Sequence, residues 1–193
     1  MRRFLISAVM IMFCVSGCTS LGGAPSPSDS GSSSPQARSA GLVQVHDPGK
    51  LTGTAPDSCR ALSGPRPDAS CTPGAIDPAV TQANITTTIC ASGYTAKVRP
   101  SSSATNRLKA QMYKAYGIAS GTVSELDHLV PLELGGANDV ANLWPEIGKL
   151  PNPKDKVEND LREEVCSGKV SLAAAQKAIA ADWMTAEAQL GVS

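Results

Sequence analysis

The sequence predicts an α+β domain tied by disulfides, standing behind a leader and a linker. Three observations predict it. Segments read in the order strand, helix, hairpin, helix, helix, which lacks the alternation of a parallel sheet with crossover helices. Cys59, Cys71, Cys90 and Cys166 give the domain an even number of cysteines, once Cys14 and Cys18 are assigned to the leader and its end. Residues 56–193 have the length of one domain.

The leader comes first. Arg2 and Arg3 precede the apolar run Phe4 to Val15, which is too short for a comfortable membrane-spanning helix and reads as an export signal, residues 1–17. The run ends in "VSGC", which looks like a bacterial lipobox. This implies cleavage before Cys18 and a lipid on its thiol that anchors the chain to a membrane, at the outer face of the cell envelope. A plain secretory signal with an incidental Cys18 is the alternative. Residues 18–55, with "GGAPSPSDSGSSSPQ", have the Ser/Gly/Pro composition of a flexible linker.

Within the domain, "DPAVTQANITTTIC" reads as a turn or short helix leading toward a strand. "SGYTAKVRP" alternates, with Tyr94, Ala96 and Val98 on one side and Thr95, Lys97 and Arg99 on the other, and predicts a half-buried strand stopped by Pro100. After the polar "SSSAT", "NRLKAQMYKAYG" places Leu108, Met112 and Ala115/Tyr116 at helical spacing, with Gly117 as C-terminal cap. A strand near Val123 to Val130, a loop with Pro131 and Gly135-Gly136, and a short strand around Asn142 to Trp144 form the hairpin. "PNPKDKVENDLREEVCSG" carries Asn152 as cap, Pro153 and Asp155 in the first turn, a Val157/Leu161/Val165 stripe and Gly168 past the end. A final helix starts behind Ser171, with Leu172, Ala175, Ile179, Trp183, Ala186 and Leu190 along one side.

Export favours oxidised cysteines. Four allow three pairings; Cys59 with Cys71 closes a short Pro-rich loop, and Cys90 with Cys166 ties the start of the domain to its last third, which stabilises by roughly 3 to 5 kcal/mol in the chain-entropy picture. With His46 and His128 the only histidines, and the four domain cysteines assigned to disulfides, no structural zinc site is expected.

Charge excludes little. Removing Arg2 and Arg3 from 17 basic residues leaves two fewer bases than the 17 acids, so bulk charge does not announce a nucleic-acid binder. Between Asp77 and Glu125, however, no acid occurs, while Lys97, Arg99, Arg107, Lys109 and Lys114 all do. Such a stretch suits a phosphate backbone or is simply a solvated surface; Arg107, Gln111 and Lys114 share the exposed side of the predicted helix.

The stretch "ELDHLVPLELGGANDVANLWPE", followed by the "KDKVEND" helix, resembles the ββα-metal core of the HNH, or His-Me finger, endonucleases, over residues 123–166. The resemblance extends to small exported bacterial lipoproteins that carry such a core. It implies an HNH-like core with an additional N-terminal strand and helix and a C-terminal helix, hydrolysing phosphodiester bonds of nucleic acid, DNA foremost, with weak sequence preference. No protein partner is implied. A catalytically inactive surface lipoprotein using the same core for binding or structure is the alternative.

The chemistry suits the residue types. An imidazole accepts a proton near neutrality, so His128 is the general base, worth about 10² to 10⁴-fold. A divalent cation, Mg²⁺ foremost, would hold the phosphate through oxygen ligands, and Asp127 offers a carboxylate. The family pattern implies a further ligand from the helix. Its usual histidine is missing here; Asn159 is the first choice, with Glu158 and Asp155 in reserve. Asn142 matches the middle residue of the pattern, which orients the loop presenting the histidine. Arg162, Lys154, Lys156, Arg107 and Lys114 are candidates to meet substrate phosphates. Because neighbours on a flat strand point to opposite faces, a shared Asp127-His128 site requires a twist or bulge there.

Overall fold

The computed structural model of the chain describes residues 41–62 and 64–192. The export signal and Cys18 lie outside the described residues. Short strands β1 (Val43–Gln44) and β2 (Ala75–Ile76) pair in parallel. Helices α1 (Tyr94–Val98) and α2 (Ser102–Ala115) follow, then the antiparallel hairpin of β3 (Ser124–His128) and β4 (Leu143–Ile147), and helices α3 (Pro153–Cys166), α4 (Leu172–Asp182) and α5 (Ala186–Leu190). Mixed helices and two small sheets make this an α+β chain, as the segment order predicts.

Among the described residues two apolar cores lie within this framework. Val157, Leu161 and Val165 of α3 pack with Leu172, Ala175 and Ile179 of α4, Val130 and Leu134 of the hairpin loop, and Ile85 and Ile89. Leu108, Met112 and Tyr116 of α2 pack with Leu143 of β4, and half-buried Leu126 of β3 joins them. Each core has its own disulfide. Cys59–Cys71 closes 12 residues beside the α2 core, and Cys90–Cys166 spans 76 residues beside the α3 core. Both pairings are those predicted.

Three elements differ from the sequence reading. Tyr94–Val98 is a helix, not a strand: Gly93, with φ +73°, turns the chain into it, and Tyr94 and Val98, four apart, share a helical face. Five residues of alternation do not separate the two periods. Helix α2 starts at Ser102, so it takes in most of the polar "SSSAT" that precedes the predicted helical segment. The final helix is two, α4 and α5, because the junction is held from outside: Arg66 bonds Asp182 at 2.8 Å, the Trp183 indole donates to the Pro65 carbonyl at 2.6 Å, and Asp182 Oδ1 accepts from the Met184 amide.

Helix α3 starts where its signals lie. Asn152 caps it, the Asp155 carboxylate accepts the Asn152 amide at 2.8 Å, and Pro153 occupies the first turn, where a missing N–H costs nothing. The ordered structure reaches back before residue 56: β1 is paired, Asp47 is buried and the Thr52 hydroxyl bonds Asp139 at 2.7 Å. Among the described residues no helix is long and apolar enough to cross a membrane.

Candidate active site

Strand β3 is regular. Its residues pair one to one with β4, from Ser124 opposite Ile147 to His128 opposite Leu143, so the bulge expected at Asp127-His128 is not present. The alternation of a flat strand therefore applies, and the two side chains diverge. Glu125 and Asp127 fall on the side of Glu146 and α3; Leu126 and His128 fall on the side of α2.

The loop between the strands holds His128 in place. Asn142, fully buried, donates from its amide to the Val130 carbonyl (2.8 Å) and the Ala137 carbonyl (3.0 Å), and its Oδ1 accepts the amides of Val130 (2.9 Å) and Ala75 (3.2 Å). All the bonding capacity of that side chain goes into fixing the loop that leaves β3. Gly136 is required by the same closeness, since a Cβ there would stand 1.8 Å from the Val130 carbonyl oxygen.

His128 is 7% exposed, and its Nε2 lies 2.9 Å from Asn138 Oδ1. The Asn138 amide nitrogen is itself spent as a donor, to Asp47 at 2.5 Å and to the Val98 carbonyl at 2.9 Å. Asn138 Oδ1 is therefore an acceptor, which puts the imidazole proton on Nε2 and leaves the Nδ1 lone pair open. Burial pushes His128 down to about 4, despite the pull of Asp127 and Asn138, so the ring is neutral at ordinary pH. Asp47 anchors the chain of bonds by also accepting the Asn138 backbone amide at 2.6 Å; burial raises its carboxyl.

His128 opens onto a cleft of about 350 Å³ that is also lined by Arg99, Ser102, Thr105, Asn106, Lys109 and Glu125. A larger concavity of about 660 Å³, lined by Lys50, Thr52, Arg107 and Gln111 among others, adjoins it through the shared Leu51 and Pro100. It holds no proton acceptor of imidazole type. His128 lines the smaller cleft, and the larger one continues from it along α2.

The other side of β3 is built around Lys154. Its side chain is 0% exposed, and its ammonium donates to the His128 carbonyl at 2.7 Å and to Glu158, and lies 2.8 Å from Asp127 Oδ2 in a charge contact outside hydrogen-bond alignment. Burial alone would lower Lys154, but the Asp127 and Glu158 carboxylates override it and hold the ammonium above its ordinary range. Burial, with Asp127 beside it, pushes Glu146 up to about 8; burial does the same to Glu158 against the pull of Lys154.

The residues chosen from sequence thus divide. Asp127 and the reserve ligand Glu158 come together, but with the Lys154 ammonium between them. Asn159 is exposed and donates to the Asp155 carbonyl at 2.7 Å, and the Asp155 carboxylate caps α3. As placed, these side chains do not fit a Mg²⁺ ion between Asp127 and Asn159. Among the described residues no three His, Cys, Asp or Glu side chains form a metal-binding group. Of the phosphate candidates, Lys154 is buried, Lys156 pairs with Asp160, and Arg162 donates to the Ile89 carbonyl at 2.8 Å. Arg107 and Lys114 are exposed on α2 outside the His128 cleft, whereas Arg99 and Lys109 of the same acid-free stretch line it.

Sequence reasoning passed over Asn138, Asp47 and the interior role of Lys154. For Lys154 a signal existed: positions 154, 157, 161 and 165 form one helical stripe, and lysine holds the first place in it. Comparisons of the chain with protein-family models, with curated proteins and with solved structures found no match.

Proposed function

We propose that this protein is an exported endonuclease that hydrolyses phosphodiester bonds of nucleic acid, DNA foremost, from an HNH-like ββα core made of β3, β4 and α3. A single observation carries the reading: a neutral imidazole, bonded through Nε2 to Asn138, lines a cleft shared with Arg99 and Lys109. His128 takes a proton from water at Nδ1. The water oxygen forms a bond to phosphorus as the ester oxygen departs, and the guanidinium and ammonium offset charge on the phosphoryl and leaving oxygens. Asn142 and Asn138 position the base, one through the loop and the other through the ring. The adjoining concavity with Lys50 and Arg107 gives a polymer room to continue. No base-reading motif is visible, so sequence preference is weak.

An oxidising location outside the cytoplasm agrees with the two disulfides, and anchorage through lipidated Cys18 completes the proposal. Plasmid nicking tests it, with wild type and His128→Ala compared in Mg²⁺ and in chelator. Nicking that His128→Ala abolishes supports the mechanism. Nicking that survives the substitution overturns it, and a wild type that never nicks supports the silent lipoprotein module, a reading favoured by the low exposure of His128.

A further inference from the structure

We infer that Lys154 is the resident cation of the carboxylate centre between β3 and α3, and that this centre takes no divalent metal while Lys154 is present. A ββα core of the proposed kind implies a metal ion between strand and helix. Here an ammonium stands between Asp127 of the strand and Glu158 of the helix, the two sequence-chosen carboxylates that converge.

The placement is specific. Lys154 donates hydrogen bonds to the His128 carbonyl and to a Glu158 carboxylate oxygen, and its ammonium lies 2.8 Å from Asp127 Oδ2 as a charge contact. It sits in the first turn of α3, where the helix dipole disfavours a cation, and is fully removed from water, where an unpaired charge would be prohibitive. Only the oxygens around it offset those costs. They are also the oxygens a hard divalent ion would need. Charge and space are both taken, so a second cation within contact distance of the ammonium is excluded by repulsion. Through the His128 carbonyl, the same ammonium fixes the backbone of the proposed base from behind, as a metal-bound strand would be fixed. The inference concerns cation occupancy and stands whether or not His128 hydrolyses nucleic acid.

Terbium luminescence tests it without an activity assay. Tb³⁺ occupies oxygen sites for hard cations and emits when excited through a nearby indole. Trp144, buried, is the cross-strand partner of Asp127 and so lies beside the centre. The full wild-type chain is expected to show no indole-sensitised emission that Asp127→Asn removes, with or without competing Mg²⁺. Lys154→Ala, which empties the cage, is expected to gain saturable emission with an apparent Kd at least about tenfold below any shown by wild type, lost again in Lys154→Ala combined with Asp127→Asn. Saturable emission from wild type that Mg²⁺ competes away and Asp127→Asn or Glu158→Gln abolishes overturns the inference. A folded Lys154→Ala protein that gains no emission also overturns it. Should that variant not fold, the wild-type titration alone decides.

Discussion

The two faces of β3 are one residue apart in sequence and differ in almost every physical respect. On one, Asp127 meets a lysine with no exposed surface, in a charge contact inside the protein. On the other, His128 bonds Asn138 through Nε2 and opens onto a cleft with Arg99 and Lys109. A closed ion cluster holds geometry, while a neutral imidazole in a cleft shared with cationic side chains is equipped to act on something else. The dipeptide that looked like one site is a boundary between a structural device and a candidate catalytic one.

The strongest way to break that distinction is to remove each side in turn. His128→Ala is expected to lower plasmid nicking by about 10² to 10⁴-fold while leaving the Asp127 side intact. Lys154→Met removes the cation from a buried carboxylate pair and is expected to destabilise by about 3 to 5 kcal/mol, read from urea denaturation. If Lys154→Met is instead stable and inactive, and His128→Ala unstable and active, the two faces have been assigned the wrong way round.

The pH dependence of stability sharpens the contrast because the two faces carry opposite signs. Burial lowers His128 from 6.5 to about 4, so between those values the unfolded chain binds more protons and stability falls with falling pH. A shift of that size is worth about 3 kcal/mol over the window. Glu146 and Glu158 are raised from 4.5 to about 8, so the folded chain binds more protons and their contribution is lost as pH rises through that range. Urea denaturation across pH 4 to 9, framed by these values, checks both limbs. His128→Asn should flatten the acid limb and Glu146→Gln should weaken the alkaline one; a variant that alters the opposite limb would contradict the assignment.

Much of this was legible in the sequence. Helix α3 announced itself through Asn152, Pro153 and the Val157/Leu161/Val165 stripe, and both disulfides followed from compartment and loop length. Asn142 could be singled out, and its buried side chain bonds the Val130 and Ala137 carbonyls of the loop that leaves β3. Long-range pairing was not legible. Asp47 lies 91 residues from Asn138, in a segment whose composition reads as linker, and no local pattern links them. The Tyr94–Val98 helix failed for a different reason: so short a run satisfies both periods, and the left-handed turn at Gly93 decides. Lys154 was misread through residue type, since lysine on a polar helix is ordinarily solvated, and its place on the apolar stripe was the better guide.

The smallest expected effect tests whether the cleft meets phosphate. The acid-free stretch supplies cations of two kinds, Arg99 and Lys109 inside the His128 cleft and Lys114 outside it on α2. If nucleic acid lies in the cleft, Arg99→Ala and Lys109→Ala each weaken binding by about tenfold or less and lower the slope of log K against log salt by about 1. Lys114→Ala leaves that slope unchanged. So does Lys156→Ala, because Lys156 stands on α3 and does not line the cleft. Fluorescence anisotropy of a labelled oligonucleotide over a salt series reads all four. Equal slopes for the four variants would mean that the polymer is held by diffuse surface charge, and the cleft would lose its claim to the substrate even if His128 kept its claim to the chemistry.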